Sequence, residues 1–230
     1  MSKDGSVSLA GVYLSRDQKY VAYGISRGGS DWREFFVMEL ESRKKMDDHI
    51  KWVKFSGLSW YKDGFFYSRY DAPKDEEKLK AKVLNQKFFY HKLGTPQEKD
   101  QLIYEDPSNP KLGFMGGVTD DEKYLIIVGW LGAADFNHLY YKNLETDSKI
   151  SLISGNLKGH FNFAGEINGR FLLKTDYKTP NYKLISIDPQ NPQEENWKVV
   201  LPESKNTLQS ASLVGGKLIA LYRKDAYTLV

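Results

Sequence analysis

The chain contains no cysteine, which excludes a disulfide framework and any thiolate-ligated metal. It has no large charge excess: 33 basic against 30 acidic residues leave a formal net charge of +3. That excludes a strongly basic nucleic-acid footprint. Long apolar runs are also missing. The longest, residues 124–134, is about half of the ~20 residues that a membrane-crossing helix needs. The first residues, MSKDGSVSLAG, lack the apolar core of a signal peptide. There is no phosphate loop, no dinucleotide fingerprint and no Trp-Asp repeat signature. These absences predict a soluble protein with no cofactor, no metal, and neither nucleic acid nor membrane as partner; the lack of cysteine fits a reducing compartment.

Aromatic side chains are plentiful, at 14% of the chain. Tyr and Phe suit pleated, buried strands, and no segment sustains a 3.6-residue apolar period. The segment TDDEKYLIIVGWLGAADFNHLYYKNL (119–144) reads as a polar turn, a short apolar strand, a second turn around 132–135 and another strand. The chain repeats this unit. Polar turns recur at Asp17, Asp63, Asp121, Asn168 and Gly215, separated by 46, 58, 47 and 47 residues. An all-strand period near 45 residues is that of propeller blades. The one long spacing is explained by the insertion at 71–82.

The sequence thus predicts an all-β fold: a β-propeller segment over 1–230. Four four-stranded antiparallel blades fall at about 7–53, 56–105, 113–153 and 161–201, with a partial fifth at 208–230. A ring closes by joining its last blade to its first, and this chain stops within a blade. The expectation is therefore a fragment of a longer protein.

In an antiparallel meander, successive turns lie at alternate ends of the sheet. The five marker turns join first to second strands and share one rim. The opposite rim carries the loops at 26–31, 70–85, 132–135 and 176–181, together with residues just ahead of each first strand, such as Phe55 and Met115. The longer, Gly-rich connections lie there, and long loops on a rigid scaffold are where binding concentrates. The mixed-charge run 71–82 reads either as a solvated loop or as a flap over that rim.

Gly24-Ile25-Ser26-Arg27-Gly28 matches the G-x-S-x-G nucleophile elbow. That motif requires a strand, a sharp turn and then a helix. Here an aromatic strand follows, so the glycines are read as hairpin residues. The histidines His49, His91, His138 and His160 lack metal-ligand spacing. His91 and His138 sit within or beside aromatic strands and are read as structural or exposed.

The segments AYGISRGGSDW (22–32), VKFSGLSW (53–60), KFFYHKLGT (87–95), FMGGVTDDEKYL (114–125) and TPNYKLISID (179–188) resemble, in order and spacing, the propeller domain of the prolyl oligopeptidase family. The resemblance implies a seven-bladed ring of which this chain covers the second blade to part of the sixth. It implies a cytoplasmic serine peptidase that cleaves short peptides after proline. There the propeller covers an α/β-hydrolase domain that carries the catalytic triad, and it restricts substrate size. No such hydrolase domain is present here, and no residue of this chain matches the triad. Ser26 does not correspond to the family's nucleophile, so no catalytic residue is assigned. The resemblance places Phe55 and Met115 in the pocket upstream of the proline. Ala133 stands where the family has a neighbouring cysteine, and Trp130 where it has an arginine, which alters the shape and polarity of that end. The family's flexible loop falls at 70–85 and is shorter here. The implied partners are the hydrolase domain of the same parent chain and short proline-containing peptides. A stand-alone propeller serving as a protein-interaction platform is the alternative.

Overall fold

The computed structural model describes residues 5–72, 83–146, 148–154, 157–225 and 227–229. Most of the insertion 71–82 and of the loop 70–85 lies outside the described residues. Among those that are described, all regular structure is strand apart from two 3₁₀ turns, Gln97–Lys99 and Glu194–Asn196. The strands form four four-stranded sheets and one three-stranded sheet, each in strict sequence order. The chain divides into two compact units, 1–118 and 119–230.

The first unit begins with the sheet of β1 (Val7–Leu14), β2 (Tyr20–Arg27), β3 (Arg33–Glu39) and β4 (Lys45–Val53). The next sheet is β5 (Leu58–Tyr61), β6 (Gly64–Arg69), β7 (Lys87–Lys92) and β8 (Gln101–Tyr104). β9 (Gly113–Val118) ends the unit and packs on β5, β6 and β7. Phe35, Val37, Ile50, Val53, Phe65 and Tyr67 form its core, each nearly or wholly buried. Trp60 packs at its border, and its indole N–H donates to the Tyr13 carbonyl at 2.9 Å, tying the second sheet to the first. Sheets stacked this way bury both faces of their inner strands. β6 shows it, with five buried residues in a row.

The second unit opens with β10 (Tyr124–Trp130), β11 (Asn137–Asn143) and β12 (Ser151–Leu152). The sheet of β13 (Phe161–Ile167), β14 (Arg170–Thr175), β15 (Lys183–Ile187) and β16 (Lys198–Leu201) follows. The last sheet is β17 (Thr207–Val214), β18 (Lys217–Lys224) and β19 (Tyr227–Leu229). Leu139, Phe161, Phe171, Leu173, Ile185 and Ile187 build the main core of this unit. Leu172, Leu184 and Leu208 bury the interface between its last two sheets.

The marker turns have a chemical basis in the sequence. In SRDQKY the Ser15 hydroxyl donates to Asp17 at 2.7 Å, while the backbone N–H groups of Lys19 and Tyr20 donate to the Asp17 carboxylate and the Ser15 hydroxyl. TDDEKY repeats every bond with Thr119, Asp121, Lys123 and Tyr124. Short polar side chains that bond the backbone two residues on favour such turns. Asn168-Gly169 and Gly215-Gly216 are instead two-residue hairpin loops with both φ values positive, the geometry that Asn-Gly and Gly-Gly supply.

The G-x-S-x-G segment is not an elbow. Gly24 to Arg27 lie inside β2, Gly28 begins the loop, and β3 follows instead of a helix. The Ser26 hydroxyl donates to the Ser30 carbonyl. β2 runs through Arg27, two residues into the loop expected at 26–31, because Ser26 pairs with both Ser8 and Arg33.

Candidate functional rim

In the first unit, β4 ends at Val53, which pairs with Arg33 at the start of β3. The Asp17 turn lies at the far end of that sheet, and the Asp63 turn at the far end of β5 from Phe55. Phe55 therefore sits on the end opposite Asp17 and Asp63. Met115 lies at the same end, as the third residue of β9 rather than ahead of it. At the other end of β9, the Val118 carbonyl accepts from the Arg16 guanidinium, next to the Asp17 turn.

Phe55 and Met115 are large apolar residues left 45% and 46% exposed. Their backbones are fastened to one side chain. Buried Gln86 donates its amide N–H to the Lys54 carbonyl at 2.7 Å and accepts the Phe114 N–H through its amide oxygen. Buried Ser68 adds a second tie: its N–H donates to the Ser56 hydroxyl at 2.8 Å, and its hydroxyl donates to the Phe114 carbonyl at 2.7 Å. The residues flanking Phe55 and Met115 are thus locked by bonds between side chain and backbone.

The same segment carries backbone strain. Trp52 and Phe55 have φ values of 62° and 54°. Bulky residues in the left-handed region are outliers, and such strain persists only where its surroundings hold it. Here the Tyr70 N–H bonds the Trp52 carbonyl at 3.0 Å, Gln86 bonds the Lys54 carbonyl, and Val53 between them is fully buried. Trp32 meets Trp52 and Tyr70 edge-on, with centroids 6.0 and 5.8 Å apart. The Lys54 ammonium stands 5.5 Å from the Trp32 ring centre and 5.0 Å from that of Phe55, and pairs with Asp31 at 3.2 Å.

In the second unit, Ala133 is exposed in the β10–β11 loop, in a turn closed by the Ala134 N–H to the Leu131 carbonyl. That loop lies at the end of β10 away from the Asp121 turn. Asn137, at the start of β11, binds Phe161 at the start of β13 through both its amide N–H and its amide oxygen. The Asn168 turn is at the other end of β13, so Ala133 lies opposite both Asp121 and Asn168 within its unit.

Gln86, Asn137 and Asn181 form a recurrent latch. Each sits before or at the third strand of its sheet and bonds the first strand of the next one. Sequence reasoning did not find it, although an amide residue ahead of three successive third strands was its one visible trace.

Three of the four histidines are tied to carboxylates. His49 meets Glu34 at 2.7 Å and His160 meets Asp176 at 3.0 Å. His91 is fully buried and held between Asp48 and Asp100, at 2.9 and 2.6 Å. Burial works against its charged form, but the two carboxylates outweigh it and push the imidazole up to about 9. The Tyr67 hydroxyl donates to the second oxygen of Asp100 at 2.6 Å. No serine hydroxyl bonds His49, His91 or His160 among the described residues. The arrangement is that of an ion cluster between two sheets, not of a nucleophile and its base.

Comparison with known proteins agrees with this architecture. The family model for the prolyl oligopeptidase N-terminal beta-propeller domain matches residues 1–230. The prolyl endopeptidase of Elizabethkingia meningoseptica is 38% identical over 226 residues, 98% of this chain and 32% of that protein. That of Elizabethkingia miricola is 36% identical over 230 residues, all of this chain and 32% of the relative. A prolyl endopeptidase structure, solved in a study of inter-domain dynamics, superposes with a TM-score of 0.87 at 29% identity, over 98% of this chain and 32% of that one. Prolyl oligopeptidase B from Galerina marginata, bound to a 35mer substrate, gives 0.85 at 27% identity, over 96% and 33%. The chain spans about a third of the length of the relatives it matches. It is a β-propeller segment, and it belongs to the N-terminal propeller domain family of the prolyl oligopeptidases.

Proposed function

We propose that the chain acts as the non-catalytic propeller segment of a serine peptidase that cleaves short peptides after proline. It covers an α/β-hydrolase domain of the same parent chain in the cytoplasm and restricts substrate size. In this reading the chain supplies consecutive blades of a seven-bladed ring, at about 7–53, 56–105, 113–153, 161–201 and 208–230. Phe55 and Met115, with Ala133, face the peptide, and Trp130 replaces a charged neighbour. The observation that carries the proposal is the Gln86 latch. It fixes the backbone beside two half-exposed apolar residues at one end of the first unit, which supports reading that end as substrate-facing.

A presented apolar pair contributes chiefly by burying area against a peptide side chain. It positions substrate and takes no part in bond breaking. In the full-length peptidase, Phe55→Ala should lower kcat/KM for longer peptides by about 1–3 kcal/mol and affect the shortest substrates less. Equal losses for short and long substrates, with a clearly lowered Tm, would assign Phe55 to packing and overturn the proposal.

A further inference from the structure

Close to Phe55, within the first unit, lies a recess. It has a volume of about 190 Å³ and is lined by Ile25, Arg27, Trp32, Arg33, Glu34, Lys51 and Trp52, with Ser30 at its edge. It is smaller than the ~300 Å³ of typical small-molecule pockets, a size that suits a single amino-acid side chain. Its walls are two indoles set edge-to-face, and one of them, Trp52, holds its position through a left-handed backbone.

The charges around it do not cancel. Glu34 is engaged by His49 at 2.7 Å and by Arg27 at 3.9 Å. Lys54, just outside, is engaged by Asp31. Arg33 and Lys51 have no acidic partner among the described residues. Lys51 does bond Gln97, but only through its backbone N–H and carbonyl. An indole-walled recess with two unpaired cations on its rim has the chemistry to hold a carboxylate: the rings exclude water from one side and the cations supply charge-assisted hydrogen bonds.

We propose that the Trp32–Trp52 recess is a subsite for an acidic side chain of a bound peptide. The inference rests on the peptide-facing reading of the rim, and it adds a charge preference to it. Lys54 sets the geometry. Its side chain is only 14% exposed and its ammonium lies between the Trp32 and Phe55 rings. A peptide with an apolar side chain on Phe55 reaches the recess across the Lys54 stem, so the carboxylate and the apolar residue come from nearby positions of one chain. Asp31 neutralises Lys54, which leaves Arg33 and Lys51 as the discriminating charges.

The test is a titration of the isotope-labelled 230-residue chain, followed by the indole N–H signals of Trp32 and Trp52 and the methyl signal of Met115. The probes are proline-containing octapeptides that differ only in a Glu or a Gln, placed in turn at each position before the proline. At low salt the best Glu peptide should bind about tenfold more tightly than its Gln twin and shift both indoles. The preference should fall as salt is raised. It should vanish in the Arg33→Gln/Lys51→Gln variant and return in Arg33→Lys/Lys51→Arg, which keeps the charge and controls for folding. Equal binding of the two peptides, with the Met115 methyl shifted and the indoles unmoved, overturns the subsite and leaves the peptide-facing rim standing. Silence of both the methyl and the indoles at millimolar peptide overturns both.

Discussion

The Lys54 carbonyl lies 2.7 Å from the Gln86 amide nitrogen, across 32 residues of sequence, and this bond fixes the backbone next to Phe55. The other end of the same carboxamide holds the Phe114 N–H beside Met115. One buried side chain thus sets two exposed ones.

Removing that side chain should be costly. Gln86→Ala leaves a carbonyl and an N–H without their partner, each at a penalty of roughly 1–3 kcal/mol. The urea midpoint should fall by an amount equivalent to about 2–6 kcal/mol, with an unchanged m-value. A midpoint within error of the parent would mean that water replaces the latch.

Phe55 and Phe35 should respond to truncation with very different losses. Phe35 is fully buried in the first-unit core, and Phe35→Ala should cost about 3–5 kcal/mol. Phe55 is half-exposed and holds a positive φ, so Phe55→Ala should cost below about 1 kcal/mol. Phe55→Gly, which relieves the left-handed strain, should be more stable than Phe55→Ala by about 1 kcal/mol. Thermal unfolding of the three variants checks the order, and a Phe55→Ala cost equal to that of Phe35→Ala would place Phe55 in the core.

Stability should decline on the alkaline side because of His91. Its folded-state value of about 9 lies above the ordinary 6.5. The stability it contributes is therefore complete below about pH 6.5 and is lost as pH rises through 9. Asp48 works in the other direction. Burial pushes its carboxyl up, but hydrogen bonds from His91 and the Gly94 N–H hold it below the usual carboxylate range. Its contribution is complete above about pH 4 and is lost as pH falls through its folded value. The imidazole carbons of His91 should still report the charged form at pH 8, and a titration midpoint below 7 would contradict the cluster.

Two glycines separate strain from sterics. At Gly169, with φ of 75°, an added Cβ meets nothing within 4 Å, so Gly169→Ala should cost only about 1 kcal/mol of backbone strain. At Gly64 an added Cβ would lie 2.0 Å from the His91 carbonyl oxygen and 2.9 Å from the Tyr90 ring. Gly64 pairs with Lys92 in the sheet, so backbone must move, and Gly64→Ala should cost roughly 3 kcal/mol or more. Comparable melting temperatures for the two variants would refute the distinction.

The strands, their order and the blade-length spacing were all determined by the sequence itself. Alternation and turn chemistry act over six to ten residues: SRDQKY and TDDEKY hold every donor and acceptor their turns need. The rim of Phe55 and Met115 followed from counting turns, since antiparallel strands alternate ends. What the tertiary structure alone decided is how that rim is held and charged. Gln86 reaches Lys54 and Phe114, His91 reaches Asp48 across 43 residues, and Lys54 lies between the Trp32 and Phe55 rings. No local pattern announces these partners. An amide, a histidine or a lysine in a strand-rich sequence has the same neighbours whether it ends in water or beneath the next sheet. Its partner is fixed only when sheets stack and its polar atoms, cut off from solvent, must be satisfied by whatever group the neighbouring strand presents.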